Sequence, residues 1–241
     1  MRSSFKYIVE GFVIFGSIFF SFYIEDLRKE NEDFITKNEL VSDLILTLED
    51  DLDQLKNLQE ILLESERLIL EVLNDIDDSH TQLTDIDAIN KILAIEVGFS
   101  FFPKDGIFNQ LITTGSFELI KNNQLKTKLL EMYNHQKDRN YATSQEIDRF
   151  NIDFRGDIVK KFRIRFSYNS FDGKFYGSRS LTNFKFDKNY YLSNSFYGLI
   201  SQGQLYVNMY MRQLKDIEEN YKASYAPVSY THLTLPTILL V

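Results

Sequence analysis

The sequence predicts a mostly α-helical protein: an N-terminal transmembrane helix continuing into an antiparallel helical bundle, with a short aromatic-rich irregular or β-hairpin segment. Three observations carry this expectation. The 241 residues include only 10 Gly and 3 Pro, too few for a turn-rich all-β fold. The run YIVEGFVIFGSIFFSFYI, Tyr7 to Ile24, holds one ionisable residue, Glu10. Beyond it, apolar residues recur at steps of three, four and seven, the spacing of helices with one buried face.

At about 1.5 Å per residue, Tyr7 to Ile24 covers roughly 27 Å, near the hydrocarbon thickness of a bilayer. Tyr7 and Tyr23 sit at its ends, where aromatic rings favour the interface, and Gly16 lies within it. A cleaved signal peptide would want a shorter apolar core and a small-x-small cleavage site. Here the core ends in bulky residues and runs into a charged stretch, so the expectation is an uncleaved single-pass anchor in a bacterial inner membrane. The N-terminus is expected inside and the large domain in the periplasm, although Arg2 and Lys6 nearly balance Arg28, Lys29 and Lys37. Glu10 has two readings: an intramembrane contact or proton site, or a carboxylate one turn from the interface that reaches headgroup water.

Between Ser17 and Val97 there is neither Gly nor Pro. Val41, Ile45, Leu48, Leu52, Leu55, Leu62, Ile69, Leu73 and Ile76 trace one stripe, with Gln59 and Glu66 at the skipped positions. This predicts a single long helix. Residues 25–88 hold 20 Asp and Glu against 5 Lys and Arg, a strongly acidic outer face. Ser79 to Gln82 reads as a turn, and Thr84 with Asp87 as a capping box for a helix to about Val97. GFSFFPKDG is a loop, and Asp105 caps a helix over 106–114 that Gly115 ends. A second long helix is expected from Asn123 to Phe162, with Leu125, Leu129, Met132, Gln136, Thr143, Ile147, Phe150, Phe154 and Ile158 on its seam. Residues 166–197 carry 11 aromatics and a possible hairpin turn at Asp172-Gly173. In the last helix, Phe196, Ile200, Gly203, Val207, Tyr210, Leu214, Ile217 and Tyr221 step 4-3-4-3-4-3-4, a heptad seam.

At Pro227 the pattern is expected to stop. VSYTHLTLPT, Val228 to Thr237, resembles an in-frame translation of a transposon-end sequencing adapter, readable as GTC TCT TAT ACA CAT CTG ACG CTG CCG ACG. The organisation expected is therefore an anchor with flanks at 1–29, a helical-bundle domain at 30–226 and a non-native tail at 227–241. His232 then carries no functional weight.

Chemistry-bearing motifs are sparse. The absence of Cys excludes disulfides and thiolate chemistry, and a net charge of -8 argues against a general nucleic-acid binder. Asp75, Asp77, Asp78 and His80 form the one cluster with a metal-like look. An EF-hand loop from Asp75 would need Gly where His80 stands and Glu where Ile86 stands, so a solvated helix end competes with a weak cation site. Glu49, Asp50, Asp51 and Asp53 read as an exposed face. His80 and His135 lie in no spaced ligand pair, and no nucleophile elbow or Gly-rich phosphate loop occurs. Arg155, Lys160, Lys161, Arg163 and Arg165 read as a solvated helix end or an anion-facing patch. The aromatic run reads as packing onto the bundle or as a partner-binding patch. No cofactor is indicated.

Glu10, Gly16 and Ile24-Glu25-Asp26-Leu27-Arg28-Lys29 form a recognisable outline of an N-terminal span. With it, the layout resembles an uncharacterised domain-of-unknown-function family of small bacterial single-span membrane-anchored helical proteins. Phe99 to Asn134, FSFFPKDGIFNQLITTGSFELIKNNQLKTKLLEMYN, resembles its Phe-x-Pro loop, Ser/Thr-Gly helix end, Leu-Ile-Lys-Asn and Leu-rich helix. Leu27 departs from the Trp often found there. The resemblance covers residues 5–225 and implies no activity or site. The functional expectation is a non-enzymatic envelope scaffold, sensor or partner-binding module, touching the lipid bilayer and a protein partner or a second copy of itself. The alternative is a metal-binding protein or enzyme using Asp75, Asp77, Asp78 and His80.

Overall fold

The structure, a computed structural model, describes residues 2–97, 99–169, 171 and 178–233. Helix α1 runs unbroken from Arg2 to Asp77, and after Gly16 it contains neither Gly nor Pro. Its buried seam is Lys37, Leu40, Leu44, Leu48, Asp51, Leu55, Leu58, Leu62, Ser65, Ile69, Val72 and Ile76, a three-and-four alternation. Ile45, Leu52, Gln59 and Glu66, placed on the seam by the sequence stripe, are its half-buried flank. The polar Asp51 and Ser65 occupy core positions that apolar periodicity passes over.

The expected membrane anchor is corrected. Among the described residues no helix is long and apolar enough to cross a membrane, so the transmembrane helix, the single-pass inner-membrane location and the periplasmic placement built on it fall. Charge is the physical reason. The run free of it extends only from Gly11 to Ile24, between Glu10 and Glu25. That is roughly 21 Å of helix at about 1.5 Å per residue, against a hydrocarbon core of about 30 Å.

Helix α2 (Asp85–Ala94) follows the turn. Thr84 caps it: its Oγ1 accepts from Asp87 N at 3.2 Å and donates to the Asp87 carboxylate at 2.6 Å, so the return bond of the expected capping box runs to the hydroxyl and not to the Thr84 backbone N–H. After α2 the chain follows the last turns of α1, where Ser65 Oγ donates to Glu96 O at 2.6 Å and Lys91 pairs with Glu71 at 2.5 Å. Helix α3 (Gly106–Thr113) ends at Gly115, whose φ of 73° is the left-handed closure that favours glycine. A 3₁₀ turn at Ser116–Leu119 leads to α4 (Asn123–Leu130). A π turn at Glu131–Gln136 separates α4 from α5 (Lys137–Lys161). Between the predicted seam residues Gln136 and Ile147, both buried, Asn140 and Ser144 carry the seam in steps of four, four and three, and Thr143 is half-buried beside them.

Strands β1 (Arg165–Asn169) and β2 (Ser178–Asn183) pair antiparallel, with Ser167 opposite Ser180; the Asp172-Gly173 turn lies outside the described residues. A short α6 (Lys188–Tyr191) precedes α7 (Asn194–Leu233). Every residue of the predicted α7 seam is buried. The seam does not stop where expected. The helix passes through Pro227, and Ser224 and Val228, both fully buried, continue the three-and-four steps. Residues 234–241 lie outside the described residues.

The described residues form two compact units. In the one drawn from residues 1–48, 104–130 and 224–241, Phe108 meets Phe117 edge-on at 5.8 Å and Lys126 lies over Phe117 at 5.3 Å. Lys37 sits over Phe34 at 4.4 Å; burial, with Lys121 nearby, holds its ammonium below the usual lysine range. In the other unit, residues 49–103 and 131–223, Asp51 meets Tyr221, Gln59 meets Glu218, and Asp77 meets Tyr197. Helix α7 therefore runs antiparallel to α1. It is also antiparallel to α5, through Arg139–Asp216 at 3.6 Å and Tyr206–Glu146 at 2.8 Å. Of the long helices expected to pack antiparallel, α1 and α5 thus run parallel to each other.

Candidate functional site

The cluster singled out in sequence, Asp75 with His80, folds into the best-defined polar centre of the molecule. Ser79 and His80 both adopt left-handed backbone, φ 60° and 59°, an unusual pair for residues with a side chain. The conformation lets His80 N donate to Asp75 O at 2.7 Å and Ser79 N to Ile76 O at 2.9 Å, closing the end of α1. The Asp75 side chain, fully buried, then collects donors from the whole turn. Gln82 N and Leu83 N each donate to Oδ1 at 2.9 Å. His80 Nδ1 reaches Oδ2 at 2.6 Å and the Tyr191 hydroxyl donates to it at 2.8 Å. His80 Nε2 meets Asp85 Oδ1 at 2.9 Å. The ring stacks on Phe186 at 4.9 Å and meets Tyr191 edge-on at 4.9 Å.

The electrostatics follow. Burial raises the Asp75 carboxyl, but hydrogen bonds from His80, Leu83, Tyr191 and Gln82 outweigh it and leave the group below the usual aspartate range. Burial lowers the His80 imidazole, but its bonds to Asp75 and Asp85 outweigh that and leave it raised. Donation from both ring nitrogens requires the imidazolium. Burial, then Asp75, pushes the Tyr191 hydroxyl up, so it stays a donor.

This geometry defines what the cluster can do. Each Asp75 oxygen already accepts two hydrogen bonds, which fills its lone-pair directions. A cation would have to displace them. Asp77 and Asp78 point elsewhere: Tyr197 OH donates to Asp77 at 3.4 Å, and Gln82 bonds Asp78. Among the described residues no group of three or more His, Asp or Glu is arranged to hold a metal ion. His80, with its side chain 5% exposed and both nitrogens on carboxylates, has no free nitrogen to serve as a base. The arrangement ties α1, the 79–83 turn, α2 and α6 into a structural knot.

Two further polar centres escape apolar periodicity. Phe101 N donates to the Tyr210 hydroxyl at 2.9 Å, and Asn140 Nδ2 donates to Phe101 O at 2.8 Å. The Phe-x-Pro loop is thereby pinned by its backbone to α5 and α7. Below it, the buried Tyr221 hydroxyl donates to buried Asp51 at 3.2 Å. Burial, then Tyr133 and Asp51 nearby, raises Tyr221. The usable signal was position, because Asp51, Asn140, Tyr210 and Tyr221 all lie on helix seams.

The remaining candidates separate. Glu49, Asp50 and Asp53 are exposed while Asp51 is buried. Arg155, Lys160, Lys161, Arg163 and Arg165 are exposed; Arg155 pairs with Glu96, and Lys161 lies over Tyr190 at 5.2 Å. The aromatic run divides: Phe186, Tyr190, Tyr191 and Phe196 pack around Phe162 and His80, whereas Tyr168 and Phe171 are exposed. Tyr7, Glu10, Gly16 and Tyr23 lie on the exposed first turns of α1, and a Cβ added at Gly16 would meet nothing within 4 Å. The chain matches no family model, no curated protein and no solved structure, so no family is shown for it.

Proposed function

We propose that this protein is a non-enzymatic helical scaffold that binds a protein partner through the first turns of α1. One observation carries the reading. Phe12 is 73% exposed, Phe15 70%, Phe19 66% and Phe22 67%, with Val13, Ile14, Ile18, Phe20 and Ile24 also exposed on the other sides. A helix apolar all round belongs inside something, and an uncharged run of this length is characteristic of a buried core helix. Exposed apolar area on this scale marks an interaction surface. The saturated Asp75 knot speaks against the metal-binding or enzymatic alternative.

The test is site-specific photo-crosslinking in cells, with a benzophenone amino acid at Phe19 and, as control, at exposed Glu60. Discrete protein adducts at Phe19 alone support the proposal; adducts at neither site, or equally at both, overturn it. Calorimetric titration with divalent cations addresses the alternative. Stoichiometric binding abolished by Asp77→Ala would reinstate it.

A further inference from the structure

We propose that the cavity between α2, α5 and β1 binds a small monocarboxylate with an apolar body of about six to eight carbons. The cavity measures about 190 Å³. Buried Ile92, Ile95, Phe154 and Ile158 form its floor, and Val159 and half-buried Phe166 its rim. An apolar cavity of about 150 Å³ stays dry and accepts a benzene-sized guest, so this volume accommodates a phenyl ring with a short tether. Water gains little there, because the floor offers no side-chain hydrogen-bonding group.

Charge selects the head group. Arg155 supplies the one ionic side chain in the lining. Its guanidinium pairs with Glu96 at the surface, with 46% and 21% of the two side chains exposed. A guanidinium carries a planar fork of five donors, more than one carboxylate occupies, and an exposed ion pair is weakly held. A guest whose apolar body fills the floor therefore places a carboxylate beside Arg155 on leaving the rim. An entering carboxylate competes there with Glu96 for the donors of Arg155.

The experiment titrates the methyl-labelled full chain with 3-phenylpropionate and, separately, with 3-phenylpropanol as the neutral isostere, followed by NMR. Saturable ring-current shifts are expected at the methyls of Ile92, Ile95, Ile158 and Val159. Arg155→Met should weaken the carboxylate roughly tenfold and leave the alcohol within about twofold. Val159→Trp, which plugs the rim, should abolish the shifts; if that variant does not fold, Val159→Phe should reduce the affinity. Three results overturn the proposal: no saturable shift at these methyls up to about 10 mM ligand, equal affinity for acid and alcohol in the unaltered protein, or shifts that persist undiminished with the rim plugged. Because the readout is local to these methyls, binding to the exposed first turns of α1 does not mimic it.

Discussion

The two ends of α1 are one continuous helix built on opposite rules. From Lys37 to Ile76 the helix has one buried side, and its seam admits polar residues wherever a partner waits: Asp51 for Tyr221, Ser65 for the Glu96 backbone. From Gly11 to Ile24 only Ser17 and Ser21 interrupt the apolar surface, each hydroxyl donating to the backbone carbonyl four residues earlier, and the large apolar side chains lie exposed. Hydrophobicity alone therefore does not report burial within this chain. Periodicity does: Asp51 and Ser65 are buried because they stand on the seam, while Phe12, Phe15, Phe19 and Phe22 are exposed.

The contrast predicts graded consequences. Asp75→Ala should be the most damaging change, because it leaves the His80 imidazolium, the Tyr191 hydroxyl and two backbone N–H groups without their acceptor. Breaking a buried charged pair in this way costs about 3–5 kcal/mol, measurable by urea denaturation. A cost under about 1 kcal/mol would show that the turn is held by its backbone alone. Gly203 comes next. A Cβ there would meet Phe150 Cζ at 3.5 Å and Ile69 Cδ1 at 3.6 Å. Gly203→Leu should overpack the three helices by about 1–3 kcal/mol. Gly203→Ala fits ordinary contact and should stabilise by up to about 1 kcal/mol through helix propensity.

Val228 tests whether the adapter-like segment has been taken into the fold. It is fully buried on the α7 seam, so Val228→Ala should cost about 1–2 kcal/mol. A neutral result would restore the expectation that residues from Pro227 onward contribute nothing.

The pH dependence of stability isolates the knot. His80 is raised in the folded state from an ordinary value near 6.5. Its contribution is therefore complete below about pH 6.5 and is lost as pH rises through the folded value. Asp75 is lowered from about 3.8, so its contribution is lost as pH falls through the still lower folded value. Melting temperature should decline above neutrality in the unaltered protein, and His80→Gln should flatten that limb; parallel curves would exclude the imidazolium. The smallest effect belongs to the other end of α1. Phe15→Gln with Phe19→Gln should change the unfolding free energy by less than about 0.5 kcal/mol, because neither side chain is packed. A larger loss would place these residues in a core.

The helical fold was legible wherever period and punctuation agreed. The α7 seam, the Thr84 cap and the Gly115 closure needed only local rules. The length of the apolar run misled, because counting Tyr7 to Ile24 as one span admitted Glu10 within it, and the charges at Glu10 and Glu25 leave too little uncharged helix to cross a bilayer. Asp75 and His80 were singled out by composition. Their role depends on Tyr191, 116 residues away from Asp75, and no spacing rule connects them. The same limit hid Asn140 and Tyr210, whose task is to hold the backbone of Phe101. The Thr143 position failed for another reason: Asn140 and Ser144 hold the seam between Gln136 and Ile147, and an apolar stripe passes over polar residues.

The Asp75 knot also sets an order of events. Three of its bonds, from His80, Gln82 and Leu83, close over five to eight residues, a distance that a folding chain samples early. The fourth, from Tyr191, waits until the chain has returned from the hairpin and α6 has docked. The carboxylate can thus shape its own turn before the rest of its site exists, with the tyrosine arriving as a late fastener. Interactions that form after the folding barrier govern how fast a protein comes apart, not how fast it assembles. Were the Tyr191 bond to form after that barrier, it would act as a kinetic lock, adding little to the search for the fold and much to the time the finished fold survives.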